Sequence, residues 1–354
     1  MDLTHAENAP PDVSQKTFYI AGIVTTVYGL DELPPSTSEV ACLWLLHPRL
    51  QNQQTMKPAG AQSIHRWNSL IKEGKAGKNP KGLIAVSFDQ RNHGTRLVDK
   101  QHNEAWRSGN PRHAQDMYTC YQGTAQDAAH LLTHLTSYIF VRPSDPKITD
   151  NFVLGVSLGA HAAWHSIIHD PRVTAAVIII GCPDYTRLMI HRAEKSKLAS
   201  WTSTSPPGTA FLGSADFPQA LIDDIRARDP MGYFFSSIDR PDVASRTSIP
   251  SNQVAAIAQL LDRHLHGKRI QILSGGSDKL VPYECAKPFL DYFKGAVGPK
   301  GWARHTGVYV EDLVFKGVGH EFTAGMAEEA ARFVMESMMA AEERGEGKVR
   351  DVKI

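Results

Sequence analysis

The sequence is short of cysteine. It has four in 354 residues, Cys42, Cys120, Cys182 and Cys285, scattered and without a C-x-x-C pair. A disulfide scaffold and a thiolate metal site are both excluded by that spacing, and free thiols in a reducing compartment are expected. Charge of one sign is missing as well. The 38 basic and 37 acidic residues leave a net charge of +1, and no basic run carries interleaved aromatics. Such a chain has no field to hold nucleic acid or an anionic membrane. Long hydrophobic runs are absent: the most apolar stretch, Ala175 to Gly181, is far too short to span a bilayer. The N-terminal MDLTHAENAPPDVSQ has no basic segment followed by an apolar one, so no secretory signal is expected. The C-terminal Val352-Lys353-Ile354 is no peroxisomal address. A cytoplasmic location is the resulting expectation. No internal repeat is visible.

What is present is an alternation of short apolar runs with helical patterns. Phe18 to Val27 reads as one or two opening strands. Val40 to Leu46, Leu83 to Phe88, Phe152 to Val156, Ala175 to Ile180, Arg269 to Ser274 and Val308 to Phe315 read as further strands. Between them, helical spacing is predicted over Ala61 to Lys72, His113 to Ile139, Ala160 to Ile168, Pro218 to Arg228, Asn252 to Leu265, Glu284 to Phe293 and Thr323 to Met339, with a charged tail from Ala340. This pattern predicts an α/β fold, a mostly parallel sheet with helices on both faces. Functional residues in such sheets lie beyond the carboxyl ends of the strands. His47, Asp89, Ser157, Asp184, Asp278 and His320 each follow a predicted strand.

The stretch around Ser157 organises the rest. Gly155-Val156-Ser157-Leu158-Gly159 is a G-x-S-x-G that ends one predicted strand and opens a helix. A serine on so sharp a turn presents its hydroxyl clear of the sheet, and the glycines avoid collisions with neighbouring backbone. A serine hydroxyl is a poor nucleophile unless a base takes its proton. Histidine does this best near neutral pH, and needs an acid to fix its tautomer. Ser157, Asp278 and His320 occur in the chain order expected of this sheet architecture.

With GVSLG at 155–159, GGSDKLVP at 275–282, GVGH at 317–320 and FDQRNHG at 88–94, the chain from about Val40 to Met339 resembles the α/β-hydrolase superfamily. The resemblance implies an eight-stranded sheet with a helical cap, Ser157 as nucleophile, Asp278 as acid and His320 as base, with no metal or organic cofactor. Asp184 stays open as an alternative acid. The oxyanion hole should take one backbone N–H from Leu158. The second should come from the loop after the Val40 to Leu46 strand. The family usually has His-Gly there, and this chain has His47-Pro48. Proline has no N–H, so Arg49 is the expected donor and Leu50 the fallback.

Roughly ninety residues separate the strands ending at Ile180 and starting at Arg269, far above ordinary connections. By the family resemblance, residues 183–250 are expected to form a cap between core segments 1–182 and 251–340, with 341–354 as the tail. Its Trp201, Phe211, Phe217, Met231, Tyr233, Phe234 and Phe235 either line an apolar pocket or join the cap to the main domain. The pairs His161/His165 and His130/His134 have the spacing of helical metal ligands, but nothing completes either set, so they read as structural or solvated. His93 reads as a brace for its loop, and Asp89 with Arg91 as a structural ion pair. The expected function is hydrolysis of a carboxylic ester of a small, fairly apolar molecule. Thioester or lactone cleavage, acyl transfer and a non-catalytic ligand-binding role remain alternatives. No nucleic-acid partner or membrane span is expected, and the oligomeric state is not legible.

Overall fold

The central strands form where apolar residues cluster. The computed structural model describes residues 12–235 and 251–350, so parts of the N-terminal segment, the expected cap and the tail lie outside the described residues. The strands are β1 (Gln15–Ile20), β2 (Ile23–Tyr28), β3 (Glu39–Leu46), β4 (Gly82–Phe88), β5 (Lys147–Val156), β6 (Val173–Ile179), β7 (Arg269–Gly275) and β8 (Tyr309–Phe315). They form one sheet in the order β1-β2-β4-β3-β5-β6-β7-β8. The β1–β2 hairpin and the β2–β4 pair are antiparallel, and every pair from β4 to β8 is parallel.

The helices are α1 (Lys57–Lys72), α2 (His113–His134), α3 (Thr136–Ile139), α4 (Leu158–His169), α5 (Tyr185–Ser196), α6 (Ala199–Thr202), α7 (Gln219–Arg228), α8 (Pro230–Phe235), α9 (Ser251–Leu265), α10 (Tyr283–Val297) and α11 (Ala324–Arg350). Successive strand residues point to opposite faces, and β3 shows the sorting. Cys42, Trp44 and Leu46 join the core shared with α2, α4 and α10. Ala41, Leu43 and Leu45 join the core under α1 and α11. Burial on both faces is why these strands are apolar throughout rather than alternating. Each such fully buried Leu contributes about 1.5–3 kcal/mol.

Several bounds differ from expectation: β5 starts at Lys147 rather than Phe152, the helix expected over His113 to Ile139 is divided into α2 and α3, and α10 runs on to Val297. Helix α1 begins at Lys57, inside the stretch expected to be loop, because Pro58 is pre-set for a first helical turn. Helix α11 runs to Arg350, beyond the expected stop at Met339, since the Ala, Glu and Arg that follow are strong helix formers.

The aromatics of the expected cap go largely into the main core. Phe211, Phe217, Phe234 and Phe235 are fully buried and belong to the same core as α2 and α4. Phe235 packs on Phe289 of α10 at 5.4 Å between ring centres, and Phe211 on Trp106 at 6.0 Å. Trp201, Met231 and Tyr233 are only half-buried. No helix among the described residues is long and apolar enough to cross a membrane.

Candidate active site

Ser157 sits between β5 and α4 with φ 53° and ψ −111°, a conformation that costs a non-glycine residue on the order of 1–3 kcal/mol. The backbone around it supplies the compensation. Its N–H donates to the Ile179 carbonyl at 2.9 Å, and its carbonyl accepts from the N–H groups of Ala160 and His161 at 2.9 and 3.2 Å. The His161 side chain adds a third bond to that carbonyl through Nδ1 at 2.8 Å. The glycines have specific causes. A Cβ on Gly155 would lie 2.1 Å from the Gly159 carbonyl oxygen, and a Cβ on Gly159 would lie 2.1 Å from that of Leu46. Strand β5, helix α4 and the loop after β3 therefore meet at contact distances open only to glycine.

The structure brings Ser157, His320 and Asp278 together. Ser157 Oγ is 2.9 Å from His320 Nε2, and His320 Nδ1 is 2.7 Å from Asp278 Oδ2. An ionised carboxylate only accepts, so Nδ1 carries the proton and Nε2 offers its lone pair to the serine hydroxyl. Asp278 Oδ1 accepts from the N–H groups of Leu280 and Val281 at 2.8 and 2.9 Å. Burial raises the pKa of Asp278, but the His320 hydrogen bond, the His320 charge and these two N–H groups outweigh it, and the net shift is downward. The loops bearing Asp278 and His320 are joined by backbone bonds from Gly276 to Phe315 and from Ser277 to Val318, each 2.8 Å.

Asp184, the alternative acid, caps α5: its Oδ1 accepts from the Arg187 N–H at 2.9 Å. Leu158 is the first residue of α4, so its N–H has no helical carbonyl to meet and faces the positive end of the helix dipole. In the loop after β3, Pro48 and Gln51 close a turn at 3.3 Å, and Leu50 adopts φ 64°. The Arg49 side chain donates to the Asn103 carbonyl.

His47 is buried and locked as a neutral ring. Its Nδ1 donates to the Pro48 carbonyl at 2.8 Å, and its Nε2 accepts from the Gln90 N–H at 3.0 Å. Gln90 Nε2 returns a bond to the His47 carbonyl. Burial drives the His47 pKa down to about 4. The ring thus joins the loop after β3 to the loop after β4.

The expected Asp89–Arg91 pair does not form. Asp89 is buried and accepts from the N–H groups of Gln53 and Thr95, both at 2.8 Å. Arg91 instead grips Asp127 on α2 through two 3.0 Å bonds. Backbone amides hold a buried carboxylate without requiring a second buried charge.

His93 braces its loop, with Nδ1 bonded to the Arg91 carbonyl at 2.9 Å. His161 and His165 are buried, and their Nε2 atoms have no hydrogen-bond partner among the described residues, although His165 Nε2 lies 3.9 Å from Asp229 Oδ1. Burial pushes both rings down to about 3. His130 and His134 pack against each other at 4.6 Å. All four cysteines are free, and only Cys120 is not fully buried. A cavity of about 190 Å³ lined by Gln122, Gln126, His165, His169 and Arg228 lies at the far end of α4 from Ser157. Residues that motif reading missed are Arg192 on α5 and His113 on α2, which meet beside the Asp278 loop. Neither belongs to a motif, and both come from elements far apart in sequence.

No family model matches the chain, and no curated protein matches it. Among solved structures it is similar to TT1662 from Thermus thermophilus at 17% identity, covering 93% of this chain and 99% of that one with a TM-score of 0.49. It is similar to a puromycin hydrolase at 14% identity, covering 93% of this chain and 38% of that one with a TM-score of 0.49. A third is the Pyrococcus furiosus esterase Pf2001 at 12% identity, covering 92% of each chain with a TM-score of 0.45. By its own strand order and its serine turn between β5 and α4, the chain has the α/β-hydrolase fold.

Proposed function

We propose that the chain is a serine hydrolase that cleaves a carboxylic ester of a small molecule through an acyl-enzyme. The observation that carries this reading is the continuous hydrogen-bonded line from Ser157 Oγ through His320 to Asp278, at 2.9 and 2.7 Å. His320 Nε2 takes the hydroxyl proton as Oγ bonds to the ester carbonyl carbon. The negative charge on the carbonyl oxygen rests on the backbone N–H groups of Leu158 and Arg49. The bond to the alcohol oxygen then breaks, and His320 gives its proton to that leaving group. Water enters, loses a proton to His320 and attacks the acyl carbon. The acid departs, and Ser157 recovers its proton. Asp278 holds the imidazole in the required tautomer and stabilises its charged form without itself taking the proton.

The supporting test is turnover of 4-nitrophenyl butyrate. Nitrophenolate release above the buffer rate, with kcat in the ordinary enzyme range of roughly 1–10³ s⁻¹ on the best ester of a panel, is the expected result. Folded protein that releases nothing from esters, thioesters or lactones would contradict the reading.

A further inference from the structure

Two guanidinium groups stand beside this site without a carboxylate of their own. Arg192, from α5, donates through Nε and Nη2 to the Leu280 carbonyl at 3.1 and 3.0 Å. Through Nη1 it reaches His113 Nε2 at 3.1 Å and Met117 Sδ at 3.0 Å. Each of these acceptors is neutral. His113 is held so because its Nδ1 bonds the Glu104 carbonyl at 2.9 Å, which leaves Nε2 as the lone pair facing Arg192. Burial, then the charges of Arg192 and Arg49, keep the His113 pKa well below the ordinary histidine value. Arg49 spends one described hydrogen bond, on the Asn103 carbonyl. Neither arginine takes part in an ion pair among the described residues.

The nearby acids make no direct ion pair with either arginine among the described residues, although the Asp278 charge is felt at Arg192. Asp278 is engaged by His320, Leu280 and Val281. Glu104 acts on Arg49 only at a distance. The Tyr185 hydroxyl donates to the Ala114 carbonyl at 2.7 Å. A third donor is unspent: Trp106, 8% exposed, packs edge-on against His113 at 5.0 Å, and its indole N–H has no partner among the described residues.

The position of these groups ties them to the reaction. Arg192 binds the carbonyl of Leu280, whose N–H holds Asp278. Arg49 lies three residues after Leu46, whose carbonyl touches the elbow at Gly159. Both arginines are half-buried, and a partly desolvated cation without a counter-ion is costly. Arginine does not escape the cost by losing its proton: burial lowers the Arg192 pKa only to about 10. Leu280, His113 and Met117 engage four of the five Arg192 N–H groups and leave one on Nη2, whereas Arg49 has one of its five engaged, by Asn103, so the two guanidiniums together can offer a carboxylate several charge-assisted bonds.

We propose that Arg192 and Arg49 form a subsite for a carboxylate borne by the substrate, so that the ester cleaved at Ser157 carries an anionic end on an otherwise apolar frame. The proposal rests on the hydrolase reading for the chemistry at Ser157, but the charge preference is measurable without turnover.

Two esters of equal chain length separate the possibilities: 4-nitrophenyl hydrogen adipate, with a terminal carboxylate, and 4-nitrophenyl hexanoate, with a methyl. The expected kcat/KM ratio in favour of the adipate ester is about tenfold or more, the size of a charge-assisted hydrogen bond. Arg192→Gln and Arg49→Gln bring the ratio toward one, and Arg192→Lys keeps part of it. A merely structural clamp at Arg192 would lower both esters alike, and that result overturns the proposal, as does a ratio of one in the wild type. In Ser157→Ala, calorimetry should find monomethyl adipate, which keeps one free carboxylate, binding about tenfold tighter than methyl hexanoate, with the difference lost on adding Arg192→Gln. If neither ester turns over, the hydrolase reading fails, and this binding comparison alone decides the subsite: equal binding of monomethyl adipate and methyl hexanoate rejects it.

Discussion

Ser157→Ala lowers kcat roughly 10⁵- to 10⁶-fold on the best ester, the scale of loss when a nucleophile that works as part of a unit is removed. His320→Ala costs about as much, and the double variant is no worse, because each group is useless without the other. Asp278→Asn costs roughly 10⁴-fold, since an amide facing Nδ1 favours the tautomer that turns an N–H toward the serine. The fold should survive the first change. Ser157 is held by its backbone, through Ile179, Ala160 and His161, while its Oγ bonds His320. Steady-state kinetics beside a thermal melt separates the two effects. A folded Ser157→Ala that keeps more than about a tenth of the rate would mean another nucleophile, far outside the losses seen for such units.

Acid weakens the fold well before its exposed carboxylates titrate. His47 is buried with a pKa near 4, and His161 and His165 are buried with values near 3. In the unfolded chain all three titrate near about 6.5. Between those limits the unfolded state binds protons that the folded state refuses, so stability rises with pH and is lost as pH falls from about 6.5 toward 4. Asp229 opposes this. Burial raises its pKa well above the ordinary carboxylate value, so over the same range the folded state takes up a proton that the unfolded chain lacks. These three against Asp229 leave a net of about two protons, or about 3 kcal/mol per pH unit, and His93, His113 and His169, which burial also lowers, act in the same direction. Against a total stability of about 5–15 kcal/mol, moving from pH 6.5 to 5 should lower the melting temperature by on the order of 10 °C. Melting temperatures measured at half-unit steps check this. A flat profile from pH 7 to 5 would show that these rings are not held neutral.

The parts of the fold that could be read in advance share one cause. Strands β3 to β7 are buried on both faces, so their residues are apolar in unbroken runs, and the ends of those runs mark one edge of the sheet. Ser157 and Asp278 were legible because each follows such a run beside a glycine that a Cβ would crowd, whereas His320 follows the mostly half-buried β8 and was legible from Gly317-Val318-Gly319-His320, where Gly317 has φ 77°. Pairings across elements were not. Asp89 looked like a partner for Arg91, two residues on, but takes amides from Gln53 and Thr95 while Arg91 reaches Asp127. Asp184 follows a strand just as Asp278 does, and only the three-dimensional path shows its carboxylate turned to the start of α5. Arg192 lies in a helix with no motif, and its meaning comes from what surrounds it, the carbonyl of Leu280 and the neutral ring of His113.

The most direct test of the central claim is to label the protein with a fluorophosphonate and locate the adduct by mass spectrometry. An activated serine predicts one adduct, on Ser157, absent from Ser157→Ala and strongly slowed in His320→Ala. Folded protein that takes no label, or carries it on another residue, would contradict the assignment of Ser157 as the nucleophile.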